Sequence, residues 1–130
     1  MSGKGWVGID LDGTLAEYHG WKGVDNIGAP IPLMVKYVRE LLHQDIDVRI
    51  FTARVGNGAK AIVAIEKWCI EHLGHVLQIT NVKDMNMVFL VDDRAVTVQK
   101  NTGVFLVEPP AIRDVFWHSD PKNPGNPDGR

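Results

Sequence analysis

Two aspartates one residue apart follow an apolar run close to the start of the sequence. The run at residues 7–11 is short and contains β-branched side chains, and Gly13 follows it, which is typical of a buried strand. Alternate residues of a strand point to the same face, so Asp10 and Asp12 are expected to lie side by side. Such carboxylates repel each other unless a cation lies between them or one is protonated. The pair therefore suits metal-assisted chemistry on an anionic substrate, or else it is a solvated strand end followed by a turn.

Further polar residues follow the other predicted strands. In a parallel α/β sheet, ligands bind beyond the carboxyl ends of the strands, so residues at these ends are expected to converge. The residues concerned are Thr52, the segment 81–83 with its Lys83, and the pair Asp92 and Asp93. Together with the first two aspartates they would form a set of acids, a hydroxyl and one cation.

This set of groups suits phosphoryl transfer. Oxygen ligands without histidine or cysteine nearby favour Mg²⁺ over zinc or copper, and Mg²⁺ commonly binds phosphate substrates. An aspartate can attack phosphorus and form an acyl phosphate. A second carboxyl group two residues on can protonate the leaving oxygen and then activate water. Thr52 and nearby backbone N–H groups offer donors to phosphate oxygens, and Lys83 offers a charge to the transition state.

Alternating strand and helix patterns must position these residues. Apolar stripes predict helices over residues 34–42, after two prolines, and over residues 62–73, before Gly74. A short helix is expected over residues 94–100. Strands are predicted at residues 7–11, 48–51, 76–79, 88–91 and 104–107. We therefore expect a three-layer, Rossmann-like α/β fold with a parallel sheet of about five strands and helices on both faces.

Composition limits the class of protein. The chain has 130 residues, of which 45% are apolar and 23% charged, which suits one domain with a real core. Its formal net charge of −2 gives no general basic field for a long nucleic acid. The single cysteine, Cys69, excludes an internal disulfide and a cysteine-cluster metal site. No apolar run approaches membrane-spanning length and no signal-peptide pattern opens the chain, so we expect a cytoplasmic protein without membrane partners.

Two segments lack a regular period. Residues 13–29 form a long irregular stretch that begins at the paired aspartates, and such loops are usually functional. Its Tyr18, His19 and Trp21 are therefore candidates for a small lid. Proline and glycine recur towards the end of the chain, so residues 119–130 are expected to be a disordered tail.

Four short motifs resemble those of the haloacid dehalogenase superfamily in its phosphatase form. Asp10-Leu11-Asp12-Gly13-Thr14 resembles the first motif and Phe51-Thr52-Ala53-Arg54 the second. Lys83 resembles the third, and Val91-Asp92-Asp93-Arg94 the fourth. The gaps between motifs are too short for the cap domain that many members carry. The chain therefore resembles a capless member, whose open site would admit large substrates or be covered by a second subunit of a homo-oligomer.

The resemblance implies a Mg²⁺-dependent phosphomonoesterase in a single catalytic domain over residues 1–118. Asp10 would be the nucleophile that forms an aspartyl phosphate, and Asp12 would be the general acid and base. The implied metal ligands are Asp10, Asp12 through its backbone carbonyl, and Asp92. The implied phosphate-binding residues are Thr52, Ala53 and Lys83.

Several residues have a structural alternative to the implied role. Arg54 could bind substrate or pair with a surface acid. Asp93 could orient Lys83 or a water at the site, or it could cap a helix that starts at Arg94. Thr52 could be a turn residue, and Lys83 could be a solvated surface lysine.

The substrate would be a phosphorylated small molecule or a phosphorylated polymer end. Thr52-Ala53-Arg54 and Asp92-Asp93-Arg94-Ala95 also resemble the phosphatase half of polynucleotide kinase-phosphatases, which implies a nucleotide or a nucleic-acid end. The low net charge and the lack of a basic aromatic run weaken the case for a nucleic-acid substrate.

Two other classes of protein remain as alternatives. A receiver-like phosphoacceptor module also combines clustered aspartates, a threonine and a lysine with Mg²⁺ but has no catalytic turnover. The spacing of Asp10 and Asp12 supplies an acid and base to the nucleophile and so favours turnover. A degenerate domain that keeps the fold without activity is the third possibility, and the intact set of acids argues against it.

Overall fold

The computed structural model describes residues 5–112, so the tail predicted over residues 119–130 lies outside the described residues. Its elements alternate between strand and helix as far as β3, as the sequence pattern predicts, and β4 then follows β3 without a helix between them. In order, they are β1 (Trp6–Asp10), α1 (Pro32–His43), β2 (Asp47–Phe51), a 3-10 helix (Ala53–Asn57), α2 (Ala59–Leu73), β3 (Gln78–Thr80) and β4 (Met87–Val91).

The four strands form one parallel sheet with the order β3-β2-β1-β4. The strand β1 is central, because it pairs with β2 on one side and with β4 on the other. Ile9 lies opposite Ile50 in one neighbour and opposite Val91 in the other, so the carboxyl ends of these strands lie at the same edge. The parallel sheet with helices confirms the predicted α/β class.

The two helices pack against each other. This follows from the strand order, because the connections β1-α1-β2 and β2-α2-β3 step in the same direction, and right-handed crossovers then put both helices on one face. The predicted three-layer arrangement with helices on both faces is therefore not observed in residues 5–112. The buried core includes Ile9, Leu11, Val38, Ile50 and Ile65.

Cys69 belongs to this core, where it packs as a small apolar group. Burial raises the pKa of its thiol to about 11, which leaves it in the unreactive protonated form at neutral pH.

The predicted helix over residues 94–100 and the predicted fifth strand over residues 104–107 are both wrong. These residues form a local antiparallel contact instead, in which Val98 lies opposite Phe105. The reason is the turn between them, where Asn101 and Gly103 both adopt positive φ values, of 65° and 75°. Residues of this type and conformation reverse the chain tightly, so the apolar run pairs with its own neighbour in sequence.

The described chain falls into two compact units. One contains residues 5–18 and 22–93, with the whole sheet, and the other contains residues 19–21 and 94–112. Neither helix combines the length and the apolar character that a membrane crossing requires in the described residues.

Trp6, at the start of β1, belongs to an aromatic cluster, and only 1% of its surface is exposed. The indole ring stacks on Phe51 with centroids 6.4 Å apart, and the Arg49 guanidinium lies 4.7 Å from its centroid. The Trp6 Nε1 donates a 2.9 Å hydrogen bond to Asp84 Oδ1, and this bond joins β1 to the connection before β4. The ring therefore links three neighbouring segments of the sheet unit.

Replacement of Trp6 tests this linkage. We expect Trp6→Phe to lower the free energy of unfolding by about 1–3 kcal/mol, because it removes the hydrogen bond and leaves a void. Urea unfolding followed by circular dichroism measures the change. Leu33→Ala is the control, because Leu33 is 82% exposed and should change stability by no more than about 0.5 kcal/mol. Equal effects of the two substitutions would contradict the linkage.

Candidate functional site

Three carboxylates meet at the carboxyl edge of the sheet. Asp10 is the last residue of β1, and Asp92 and Asp93 directly follow β4. Each offers an oxygen, and these three oxygens all lie within 4.8 Å of one another. The structure thus brings together Asp10 and Asp92, as the strand-end argument predicts. Asp93, which the same argument placed at this edge and whose role the sequence left open, joins them with its side chain.

The surroundings of Asp10 strongly favour its protonated form. Burial is the largest cause, followed by a hydrogen bond with Asp93 and by the negative charges of Asp92 and Asp93. A hydrogen bond from Thr14 acts in the opposite direction, and the net effect raises the pKa of Asp10 to about 8. Without a cation, this cluster therefore binds a proton near neutral pH.

Thr14 connects the two sides of the acidic cluster. Its Oγ1 lies 3.1 Å from Asp10 Oδ2 and 3.2 Å from Asp93 Oδ1, and it accepts a 3.0 Å hydrogen bond from the Asp93 backbone N–H. A hydroxyl has one proton, so it donates to one carboxylate at a time. Thr14 has no predicted role in the sequence, although its place at the end of the first motif was the available signal.

A glycine is required at position 13 because the Asp93 side chain lies close to its backbone. Its φ is +88°, and a Cβ built there would lie 2.5 Å from Asp93 Oδ2. Any side chain at this position would therefore displace the Asp93 carboxylate or strain the backbone.

The carboxylate of Asp12 lies in a different environment from that of Asp10. The strand β1 ends at Asp10, and the Leu11 carbonyl accepts hydrogen bonds from the amides of Thr14 and Leu15, so Asp12 lies in a turn. Its two oxygens accept hydrogen bonds from Arg54, with Nε to Oδ2 at 2.8 Å and Nη2 to Oδ1 at 2.9 Å. The strand that was expected to carry both aspartates therefore ends at the first of them.

The second motif has a clear structural role at the start of the 3-10 helix. Thr52 is 2% exposed, and its Oγ1 accepts a 3.1 Å hydrogen bond from the Arg54 backbone N–H. Its own N–H donates to the Thr80 carbonyl at 2.9 Å. This matches the turn alternative for Thr52, while Ala53 is the first residue of the 3-10 helix and is exposed. The phosphate-binding roles of both residues stay predictions.

The structure matches the surface alternative for Lys83, whose phosphate-binding role stays a prediction, and it excludes the helix-cap alternative for Asp93. Lys83 is exposed, and within residues 5–112 no hydrogen bond or ion pair joins it to the acidic cluster. Asp93 does not cap a helix, since residues 94–100 contain none. Its carboxylate faces Asp10 and Thr14 instead.

Comparisons with known proteins bear on the fold alone. No protein-family model matches the chain, and no curated protein matches it. A solved structure of a conserved protein from Bacteroides thetaiotaomicron is similar, with a TM-score of 0.54 and 22% sequence identity. The likeness covers 70% of this chain and 77% of that chain. The class that fold and site define is thus an α/β protein with an acidic cluster at the carboxyl edge of a parallel sheet.

The raised pKa of Asp10 predicts a pH-dependent stability in the absence of metal. The unfolded chain releases this proton near pH 3.8 and the folded chain near pH 8, so between these values only the folded state holds it. The free energy of unfolding should therefore fall as the pH rises, by at least about 1 kcal/mol between pH 5 and pH 8.

Urea unfolding at several pH values with a chelator present measures this decline. Asp10→Asn should abolish it, because the amide cannot lose a proton. Asp25→Asn, a matched change at an exposed loop position, should retain it. A decline of the same size in the Asp10→Asn variant would show that another group causes it.

Proposed function

We propose that the chain is a Mg²⁺-dependent phosphomonoester hydrolase of the haloacid dehalogenase type, which acts through an aspartyl phosphate on Asp10. The observation that carries the proposal is the cluster of three carboxylates within 4.8 Å of one another. It lies at the sheet edge where parallel α/β folds bind ligands. The spacing of the first motif, with Asp12 two residues after Asp10, adds an acid and base.

The donor set fits a divalent cation. Asp10, Asp92 and Asp93 offer only carboxylate oxygens, which are ligands that Mg²⁺ prefers. The pKa of Asp10, raised to about 8, is the response of a buried carboxyl group to two acidic neighbours without a balancing charge. When bound, Mg²⁺ would neutralise these carboxylates and the negative charge of a phosphate group. The backbone carbonyl of Asp12 is a further ligand in this proposal.

The proposed reaction has two steps, formation of the aspartyl phosphate and its hydrolysis, after which the protein is unchanged. A carboxylate oxygen of Asp10 attacks phosphorus, and the bond between phosphorus and the ester oxygen breaks. Asp12, which is ion-paired with Arg54 in the structure, enters this step after it has taken up a proton; it gives that proton to the departing alkoxide and then takes one from the water that attacks the aspartyl phosphate. The products are an alcohol and inorganic phosphate, and both aspartates return to their starting states.

The proposed substrate is a phosphorylated small molecule, a nucleotide or a phosphorylated polymer end. The spacing between the motifs leaves no room for an inserted cap domain, so an open site is part of the proposal. We place the activity in the cytoplasm, in line with the sequence composition.

Replacement of the proposed nucleophile is the direct test. We expect Asp10→Asn to lower phosphate release from an aryl phosphate with Mg²⁺ by at least about 10³-fold, because an amide cannot form the aspartyl phosphate. A colorimetric phosphate assay measures release, and circular dichroism verifies the fold. Asp47→Asn, at the start of β2 and thus at the opposite edge of the sheet, should keep full activity, and a chelator should abolish the activity of the wild type.

Two results would contradict the proposal. Unchanged turnover in the Asp10→Asn variant would show that Asp10 is not the nucleophile. A phosphorylated Asp10 that persists without turnover would instead support the phosphoacceptor alternative, which mass spectrometry of the intact protein would reveal.

Metal binding can be tested without any substrate. We expect Asp92→Asn and Asp93→Asn each to weaken Mg²⁺ binding by about 10-fold or more in calorimetric titrations, because each removes a charged oxygen from the cluster. Asp47→Asn is the control, since Asp47 starts β2 at the opposite edge of the sheet and pairs with Arg49. Failure of the wild-type protein to bind Mg²⁺ would support the degenerate-domain alternative.

A further inference from the structure

Arg54 joins three separate segments next to the proposed nucleophile. It follows β2, it holds both oxygens of the Asp12 carboxylate, and it donates to the loop between β1 and α1. In that loop its Nη2 lies 2.9 Å from the Asn26 carbonyl oxygen, and its Nη1 lies 3.4 Å from that of Val24. With 3% of its surface exposed, the residue is part of the protein interior.

This arrangement fixes the direction of the Asp12 carboxylate. Two parallel N–H···O bonds from a planar guanidinium hold a carboxylate in one plane, which a single contact cannot do. The Arg54 backbone is held in turn, because its N–H donates to Thr52 Oγ1 at 3.1 Å. The position of Asp12 therefore depends on a chain of contacts that starts at the end of β2.

The same contacts also connect Asp12 to the loop. Residues 22–28 are held at one point by Arg54 and at another by Trp68, whose Nε1 donates a 2.9 Å hydrogen bond to the Gly28 carbonyl. Trp68 is 6% exposed and belongs to the core, so the second contact is a rigid one. Arg54 is the contact that relates this loop to a proposed catalytic group.

We propose that Arg54 is a positioning residue that orients Asp12 for proton transfer and couples it to the loop at residues 22–28. This inference rests on the proposed function, in which Asp12 is the general acid and base. It differs from the sequence-based interpretation of Arg54 as a substrate-binding residue. A side chain that is 3% exposed has little surface left for a substrate, and it acts on the reaction through Asp12.

A double-mutant cycle on kinetics tests the positioning role. We expect Arg54→Lys to lower kcat for an alkyl phosphate by about 10-fold or more with little change in KM, because lysine cannot hold both oxygens. The loss should be smaller for an aryl phosphate with an acidic leaving group, which needs less protonation. In an Asp12→Asn background, Arg54→Lys should cause no further loss.

Arg49→Lys is the matched control, because Arg49 lies within β2 and pairs with Asp47, and the activity of this variant should equal that of the wild type. An equal loss from Arg54→Lys in both backgrounds would overturn the inference. A raised KM with unchanged kcat would support the interpretation of Arg54 as a substrate-binding residue.

A second measurement does not depend on turnover. Hydrogen exchange of the amides in residues 22–28 should become several-fold faster in Asp12→Asn and in Arg54→Lys than in the wild type. The double variant should exchange no faster than either single variant. Unchanged exchange in the Asp12→Asn variant would refute the coupling, even if Arg54 variants do not fold. Absence of Asp10-dependent phosphate release from the wild type would refute the proposed function instead, and the exchange result would still decide the link between Arg54, Asp12 and the loop.

Discussion

Mutual repulsion among three carboxylates is the constraint on which the carboxyl edge of this sheet depends. Asp10, Asp92 and Asp93 lie within 4.8 Å of one another, a distance at which like charges are costly in a partly buried site. The protein accommodates them with a proton, since the pKa of Asp10 is raised to about 8, and with a hydroxyl from Thr14. Gly13 contributes by leaving space for the Asp93 carboxylate. A divalent cation would supply the same compensation more completely.

The two aspartates of the first motif differ because the chain gives them different partners. Asp10 ends a strand and faces other acids, whereas Asp12 lies in the following turn and faces the Arg54 guanidinium at 2.8 Å. Environments that differ in this way allow two chemically identical side chains to take distinct roles, such as nucleophile and proton carrier. The turn after Asp10 contributes to this difference, since the extended strand does not continue through Asp12.

The sequence was sufficient for the four strands and two α-helices of the sheet unit and for the meeting of Asp10 with Asp92, because both depend on local patterns and on one rule of parallel sheets. It was not sufficient for the hydrogen bonds of Thr14 with Asp93 or for the pairing of Arg54 with Asp12. These contacts join residues 79 and 42 positions apart, and the geometry of the turn decides them. The error at residues 94–107 has a local cause, in which a tight turn pairs an apolar run with its neighbour.

The position of Lys83 shows how far the rule of strand ends extends. Asp92 reaches Asp10 because β4 is adjacent to β1, but β2 lies between β1 and β3. Neighbouring strands are about 4.8 Å apart, so the end of β3 is about 10 Å from that of β1. Lys83 also lies beyond the last residue of β3, Thr80, on a connection of residues 81–86 that leads to the start of β4. The strand order therefore explains why Asp92 meets Asp10 directly, while the phosphate-binding role of Lys83, two strands away, stays a prediction.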